Sequence, residues 1–429
     1  MIRIFTTIHI TPDVRSYRTH CFENIVTFLK KTCNVQIIWL VYKPENIDCK
    51  KKLDENNLVL DIHNYDNAIE VIKQFKPDII WAAPTLNLPD FAISIAGKKL
   101  GIPVVGELVT ELFTKDNEFD IFKTYLAHFF ERTVPTDSSD ENKKFMKRGR
   151  FFIYKFLFLI KTQKKSGWTF FKIIKYFFIL VRAHMTVQKN LHDPIFACDT
   201  HFVETEKMIN ELIEKGYDKE KLIVTGIPMY DEATKQIEKL EKNKTKNVKK
   251  NILFLTHAMY EHGIWTKEQR NSLIEKVVSE LSKQENNYNI IIKIHPSSEQ
   301  LTDYESIVHK IDKSIKIVQH GDILEYIVNS DVIITYSGAS SLVYALICNK
   351  PIIVCDFYDL KNDIFVDGKV VISCKNEKEL IKIIENEKKE LFIKKDDVDK
   401  FKEEYFHKLD GKASERIGIE LLKIAKNQE

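Results

Sequence analysis

Lys293 and His295 stand two residues apart where the apolar run of "NYNIIIKIHPSSEQ" breaks at Pro296. An imidazole at the rim of a buried strand can donate to a phosphate oxygen or a leaving group, and a lysine beside it adds positive charge. A surface-loop histidine bonded to backbone would read the same way. A second stretch, "DVIITYSGASSLVYALICNKPIIV", ends a strand near Tyr336 and starts a helix near Ala339, which puts Ser337, Gly338, Ser340 and Ser341 in the turn and first helical residues. Free backbone N–H groups, the helix dipole and serine hydroxyls there favour an anion such as phosphate. Simple serine capping of the helix would also account for the pattern. Together, at neighbouring strand ends of one sheet, the two signals favour a shared phosphate. A third strand end, "FLTHAMYEHGIW", carries His257, His262 and Gly263, where a glycine lets the backbone approach a ligand. No third ligand has a spacing that fits a metal with the two histidines, so they are read as lining a cleft and no metal site is assigned.

In the first half, "GIPVVGELVTELF" closes a strand at Val105 and offers Glu107 and Glu111. A carboxylate at a cleft mouth can take a proton from an acceptor hydroxyl as general base, and Glu107 is nearer the strand tip. A solvated acidic loop is the alternative. His9 and Thr7 at the end of the first strand, with Arg15 and Arg18 beyond, are weaker acceptor-side or phosphate candidates.

These residues need a frame. At 429 residues, 44% hydrophobic and 30% charged, the chain is that of a folded globular protein too long for one ordinary core, which implies two domains. A net charge of +3 implies no nucleic-acid partner by itself. The seven scattered cysteines contain no Cys-x-x-Cys pair, which points to a reducing compartment, and "MIRIFTTIHI" opens as a strand rather than an export signal. Strand-like runs ("IRIFTTIHI", "VQIIWLVY", "NLVLDIH", "DIIWAAP", "IPVVGELV") alternate with helical patterns, and a second series runs from "NILFLTH" to "VVISCKN". This predicts an α/β protein with two doubly wound, Rossmann-like domains facing across a cleft, ligands lying beyond the carboxyl ends of strands. The expected division is an acceptor-side domain over 1–234, a charged linker over 235–250 and a nucleotide-donor domain over 251–429, with a last helix over about 411–428 able to pack back across the junction.

One segment stands apart. Residues 143–182 hold twelve Lys or Arg, twelve aromatics and no Asp or Glu. The apolar runs of this insertion, 143–187, fall short of the ~20 residues that cross a bilayer. As a helix, the part from 170 places Lys172, Lys175 and Arg182 on one arc, with Trp168, Phe170 and Phe171 leading into it. A basic, aromatic, acid-free helix pair suits an anionic membrane interface. A hairpin packed into the first domain or a homodimer contact is the competing reading, and single-stranded nucleic acid is disfavoured because no recognition motif accompanies the segment.

"KIHPSSE", "DVIITYSGASSLVYALICNKPIIVCDF", "HFVETEKMINELIEKGYDKEKLIVTGIPMYDE" and "LDGKASERI" together resemble the GT-B glycosyltransferase superfamily. More narrowly, they are similar to the group of CDP-glycerol glycerophosphotransferases and capsule polysialyl- and Kdo-transferases, with the non-hydrolysing UDP-N-acetylglucosamine 2-epimerases as structural relatives. The resemblance covers about residues 195–425 and implies that His295, Ser337, Ser340 and Ser341 hold the donor's phosphates and that Glu107 falls where such enzymes place a base. The epimerases' acidic-acidic-Asn-Arg signature has no counterpart in "RAHMTVQKNLHDP", and the His-Gly of glycerophosphotransferases is matched at Gly106 by glycine alone. The expectation is a cytoplasmic enzyme, peripheral to the inner face of the membrane. It would move a sugar or sugar-like acid from a CMP-, CDP- or UDP-type nucleotide donor to a glycan or lipid-linked acceptor, without a separate cofactor. A sugar-nucleotide epimerase, a glycerophosphotransferase and a membrane-bound scaffold are the alternatives.

Overall fold

The computed structural model describes residues 1–8, 17–42, 56–84, 87–108, 141–185, 194–244, 249–261, 263–296, 298–336, 341–359, 363–386, 391 and 393–427. The first half contains β1 (Ile2–Ile8), α1 (Tyr17–Leu29), β2 (Val35–Val41), β3 (Asn57–Asp61), α2 (Ala68–Phe75), β4 (Ile79–Ala82), α3 (Leu88–Leu100), β5 (Val104–Leu108), α4 (Glu141–Lys165), α5 (Phe170–Met185), β6 (Thr200–Val203), α6 (Glu206–Glu214) and β7 (Leu222–Val224). After α7 (Met229–Lys242), the second half contains β8 (Lys250–Leu255), α8 (Lys267–Ser282), β9 (Tyr288–Lys293), α9 (Leu301–Ile311), β10 (Lys316–Val318), α10 (Ile323–Asn329), β11 (Val332–Thr335), α11 (Ser341–Ile347), β12 (Ile352–Cys355), α12 (Ile364–Asp367), β13 (Ile372–Cys374), α13 (Glu377–Glu385), α14 (Lys395–Phe406) and α15 (Ala413–Lys426).

Both sheets are parallel throughout their described pairings, in the orders β3-β2-β1-β4-β5-β6-β7 and β10-β9-β8-β11-β12-β13. Central strands such as β4 and β11 are buried on both faces. That is why they read as unbroken Ile-rich runs rather than as alternating ones. The strand order reverses between β1 and β4 in the first sheet and between β8 and β11 in the second. A parallel sheet of this kind leaves a crevice at that reversal, beyond the carboxyl ends of the strands. The two short strands β6 and β7 carry too few apolar residues to announce themselves, and sequence reading passes over both.

The charge-rich run expected to be a linker over 235–250 is helical over its first half. Tyr230, Ala233 and Ile237 recur on one face of α7 and join a core built by β8, β11, β12, α10 and α11. The charges occupy the other face, so the run is amphipathic rather than simply solvated.

Helix α15 returns to the first sheet. Its Ile417 and Leu421 share a core with Ile4, Phe22, Ile25 and Trp81, and a Cβ on Gly418 would stand 2.3 Å from the Phe28 ring. Only glycine lets α15 lie this close to α1. Its start is held by α7: the buried Asp231 carboxylate accepts from Ala413 N at 3.0 Å and Ser414 N at 2.6 Å. This is a helix cap supplied from another helix, answering amides that the helix itself leaves unpaired. Replacing Asp231 by Ala is therefore expected to cost about 1–2 kcal/mol, read as a lower urea midpoint by circular dichroism, with Asp231→Asn losing less. An unchanged midpoint would show that α15 is held by packing alone.

Candidate active site

The exits of β8, β9, β10 and β11 are gathered by one residue that sequence reading did not single out. Glu299 is fully buried between Pro296 and α9. One carboxylate oxygen accepts from the Thr256 hydroxyl, just past β8, and from His295 N at 2.6 Å, just past β9. The other accepts from the Tyr304 hydroxyl and lies 3.5 Å from that of Tyr336, just past β11. The backbone oxygen of Glu299 also takes Gln319 Nε2 at 2.8 Å, which ties in the exit of β10. A buried carboxylate is tolerated only when donors surround it, so these loops are held as one unit.

Tyr336 fastens the β8 exit a second time. Its hydroxyl accepts from His257 N at 2.8 Å and donates to His257 O at 2.7 Å. A phenol has one proton, and the shorter contact shows it goes to His257 O rather than to Glu299. Burial, with Tyr336 and Glu299 beside it, pushes the Tyr304 hydroxyl far above its ordinary value, and burial with Glu299 does the same for Tyr336. Both phenols therefore remain protonated and keep donating.

His295 is half-buried at the rim. Its Nδ1 accepts from Ser298 N at 3.1 Å, so a neutral ring carries its proton on Nε2 and offers a donor there. Lys293 behaves differently from expectation. It is buried and turns inward, giving its ammonium to Ile294 O at 3.1 Å and Gln319 O at 2.6 Å. Burial pulls its pKa below the ordinary lysine value while Glu299 opposes the shift. It holds the β9 and β10 exits together rather than presenting a cation to solvent. Ser341 is the first residue of α11, and Gly263 has φ +71 with no atom within 4 Å of an added Cβ, an open left-handed turn. Ser337, Gly338, Ser340, His262, His9 and Glu111 lie outside the described residues.

Arg270 was also missed. It is 1% exposed, pairs with Glu261 and Asp303 at 3.0 Å each, and lies over the rings of Tyr260 and Tyr304. It braces α8 against α9 and so backs Tyr304. A cation inside a helix with many charged neighbours gives no sign in sequence that it faces inward.

On the first domain, β5 runs on to Leu108, past the expected end at Val105, so Glu107 is its last residue but one and pairs with Phe202 of β6. Gly106 pairs with His201, and an added Cβ would stand 2.8 Å from the His201 ring and 2.9 Å from Cys198 Sγ. A histidine absent from the sequence beside Gly106 is thus present across the ladder, though buried, with Nε2 accepting from Cys198 N at 2.7 Å. At the β1 exit, Thr7 Oγ1 donates to buried Asp90 at 2.7 Å, and Arg18 joins the same carboxylate at 3.1 Å. These two acceptor-side candidates form a buried network with Asp90 and Asn87, whose amide donates to it at 2.7 Å.

Between the domains lies a cavity of about 660 Å³, walled by His20 of α1, Gln236 of α7, Asp322 beyond β10 and Tyr344, one turn past Ser341. That volume is of the size that holds a small organic ligand. Among the described residues no three His, Cys, Asp or Glu side chains converge as a metal site.

A family model described as UDP-N-acetylglucosamine 2-epimerase matches residues 196–423. No curated protein matches the chain. Among solved structures, the UDP-GlcNAc 2-epimerase of Neisseria meningitidis bound to UDP-GlcNAc is similar at 16% identity and TM-score 0.55, covering 98% of this chain and 100% of that one. The S. aureus MnaA–UDP co-structure is similar at 16% identity and TM-score 0.50, over 100% and 97%. A variant of the wall teichoic acid polymerase TagF soaked with CDPG is similar at 15% identity and TM-score 0.51, over 100% and 90%. These likenesses establish the fold, two α/β domains of the GT-B type.

The Glu299 arrangement has a direct consequence. In Glu299→Gln an amide N–H₂ must face a hydroxyl or backbone N–H donor, leaving a buried donor unanswered at a cost of about 1–3 kcal/mol. Denaturant unfolding should show that loss, and amide exchange at His295 should quicken; a variant as stable as the parent would remove Glu299 from its central place.

Proposed function

The chain belongs to the UDP-N-acetylglucosamine 2-epimerase family, and from that premise we propose that it is a metal-independent glycosyltransferase. It moves a sugar or sugar-like acid from a nucleotide-activated donor to a glycan or lipid-linked acceptor, working peripherally at the cytoplasmic face of a membrane. The observation that carries this reading is the convergence of the β8, β9 and β11 exits on Glu299. It holds the His295 imidazole at the rim past β9, while α11 follows β11 at the reversal of strand order and reaches the cavity between the domains through Tyr344.

The donor's phosphates sit against His295 and the start of α11, and its nucleotide extends into the cavity. As the bond from the anomeric carbon to the phosphate oxygen breaks, its electron pair leaves with the nucleotide. The Nε2–H of His295 and the amides at the start of α11 meet that negative charge. The acceptor oxygen forms the new bond to the anomeric carbon, and its proton passes to the Glu107 carboxylate on the opposite domain. N–H donors take the place of a divalent cation, so turnover continues in EDTA.

The epimerase reading has the family match over 196–423 in its favour. Against it stand the absent acidic-acidic-Asn-Arg signature and a basic, aromatic helix pair that an enzyme acting on a free sugar nucleotide does not need. Incubation with UDP-GlcNAc alone separates the two, because an epimerase changes the donor without acceptor.

The first test is a thermal-shift titration of CMP, CDP, UDP and GDP against the parent and His295→Ala. A ligand that binds only the folded state stabilises it by RT ln(1 + [L]/Kd), about 2.7 kcal/mol at a hundred times Kd. One nucleotide is expected to raise the melting temperature selectively, with the shift at fixed concentration reduced in His295→Ala. Indifference to all four would overturn the donor site and favour a scaffold.

A further inference from the structure

Helices α4 and α5 form a two-sided hairpin. Its inner side is part of the first domain's core, through Phe158, Leu159 and Leu180. Thr162 Oγ1 also accepts the first amide of α2, Ala68 N, at 2.9 Å. The Phe156 and Phe177 rings meet edge to face at 5.5 Å and lock the two helices together. Among the described residues nothing covers the outer side: Phe170 is 68% exposed, Phe171 82%, Phe178 65%, and Ile153 and Leu157 open a second strip on α4. At about 100° per residue, Phe170, Ile174, Phe178 and Phe171 fall within about a 100° arc of α5, with Lys175 about 40° beyond its edge, Lys172 about 60° further round, and Ile173 and Leu180 turned inward.

The hairpin also has a definite place. Helices of a parallel sheet begin at the carboxyl ends of its strands. Thr162 touches the start of α2, and Trp168 packs on Phe91 in the first turn of α3 at 6.4 Å. The turn between α4 and α5, with Phe170 and Phe171 just after it, therefore lies at the carboxyl edge of the first sheet. That is the edge where β5 delivers Glu107.

We propose that this face docks on an anionic lipid bilayer, with Phe170, Phe171, Ile174 and Phe178 entering the headgroup region and Lys172 and Lys175 meeting lipid phosphates. Charge complementarity selects the occupant: residues 143–182 carry twelve cations and no acid, which an anionic surface attracts and a second copy of the same surface repels. Aromatics flanked by lysines are the side chains that settle at headgroup depth. The docking deepens the transferase reading and rests on it, because it turns the acceptor side of the cleft toward the bilayer, where a lipid-linked hydroxyl would approach Glu107. Among the described residues no helix is long and apolar enough to cross a membrane, so the contact is a surface one.

The test is co-sedimentation of the full chain with vesicles of phosphatidylcholine alone or mixed with phosphatidylglycerol. Phe171→Glu/Phe178→Glu and Lys172→Glu/Lys175→Glu are run alongside, and the nucleotide thermal shift is measured on the same samples. Binding is expected only to the anionic vesicles, weakening with salt and falling by about ten-fold or more in each double variant, while the nucleotide shift stays at the parent value. Failure to bind anionic vesicles, or binding unchanged in both variants, overturns the docking face. A stable dimer in sedimentation equilibrium that Phe171→Glu/Phe178→Glu dissociates overturns it too, by assigning the face to a second copy. The transferase reading fails separately, through loss of the nucleotide shift in the parent protein.

Discussion

A buried carboxylate must be answered by donors, and the second domain is built around that demand at Glu299. Four loops leave the carboxyl edge of the sheet there, and without a common tie each would be an independent surface segment. The donors at Thr256, His295 and Tyr304, and the second grip of Tyr336 on His257, make them one body. A site that stabilises charge during a reaction has to be in place beforehand, since donors that reorganise during the step return much of what they contribute. Glu299 is itself enclosed, yet it sets where His295 stands.

The first domain repeats the device. Thr7 at the end of β1 donates to Asp90, as Thr256 past β8 donates to Glu299. β1 and β8 occupy equivalent places, each beside the reversal of strand order. In both domains the acceptor is a fully buried carboxylate on or just before the helix that succeeds a neighbouring strand. In the first domain a full charge, Arg18, joins the carboxylate at 11% side-chain exposure, and burial with Asp90 raises the phenol of Tyr42 past β2. The two halves thus stiffen the same structural point with different chemistry. The second uses neutral hydroxyls and leaves its rim histidine a donor, whereas the first spends a guanidinium internally.

Much of the frame was legible because parallel sheets write themselves as apolar runs. Eleven of the thirteen strands among the described residues appear in "IRIFTTIHI" and its successors, and α3, α8 and α15 in their apolar spacing. The strands that escaped, β6 and β7, are four and three residues long, too short for an apolar run to stand out even though most of β6 is buried. The helical character of the run after Met229 was hidden for a related reason: α7 keeps one apolar face among many charges, and counting charge hides periodicity. The site was half legible. A strand tip leading into His-Pro marks a rim, but nothing in "KIHPSSE" tells which of Lys293, His295 and Glu299 faces inward. Lys293, the most exposed type by habit, is buried, and Glu299 is the centre. Burial of a charged residue is decided by partners far along the chain, here Gln319, Thr256 and Tyr336, and those pairings exist only once the sheet has formed.

The family match begins at residue 196, at the edge of β6, and stops within α15. It therefore takes in the whole second sheet and leaves out most of the first, with the hairpin and β5. This division has a chemical meaning. Breaking the bond between an anomeric carbon and a phosphate oxygen puts the same negative charge on the same leaving group in either reaction, so one arrangement of donors serves transfer and epimerisation alike. The fate of the activated carbon is settled by the group that meets it, and that group comes from the other side of the cleft. On the proposed reading, the aromatic hairpin at the carboxyl edge of the first sheet, acid-free over residues 143–182, receives something held at a surface. A hydroxyl anchored there reaches the carbon at high local concentration, because confinement replaces a bimolecular search. The choice between transfer and epimerisation therefore rests with the half of the chain that the family match leaves out.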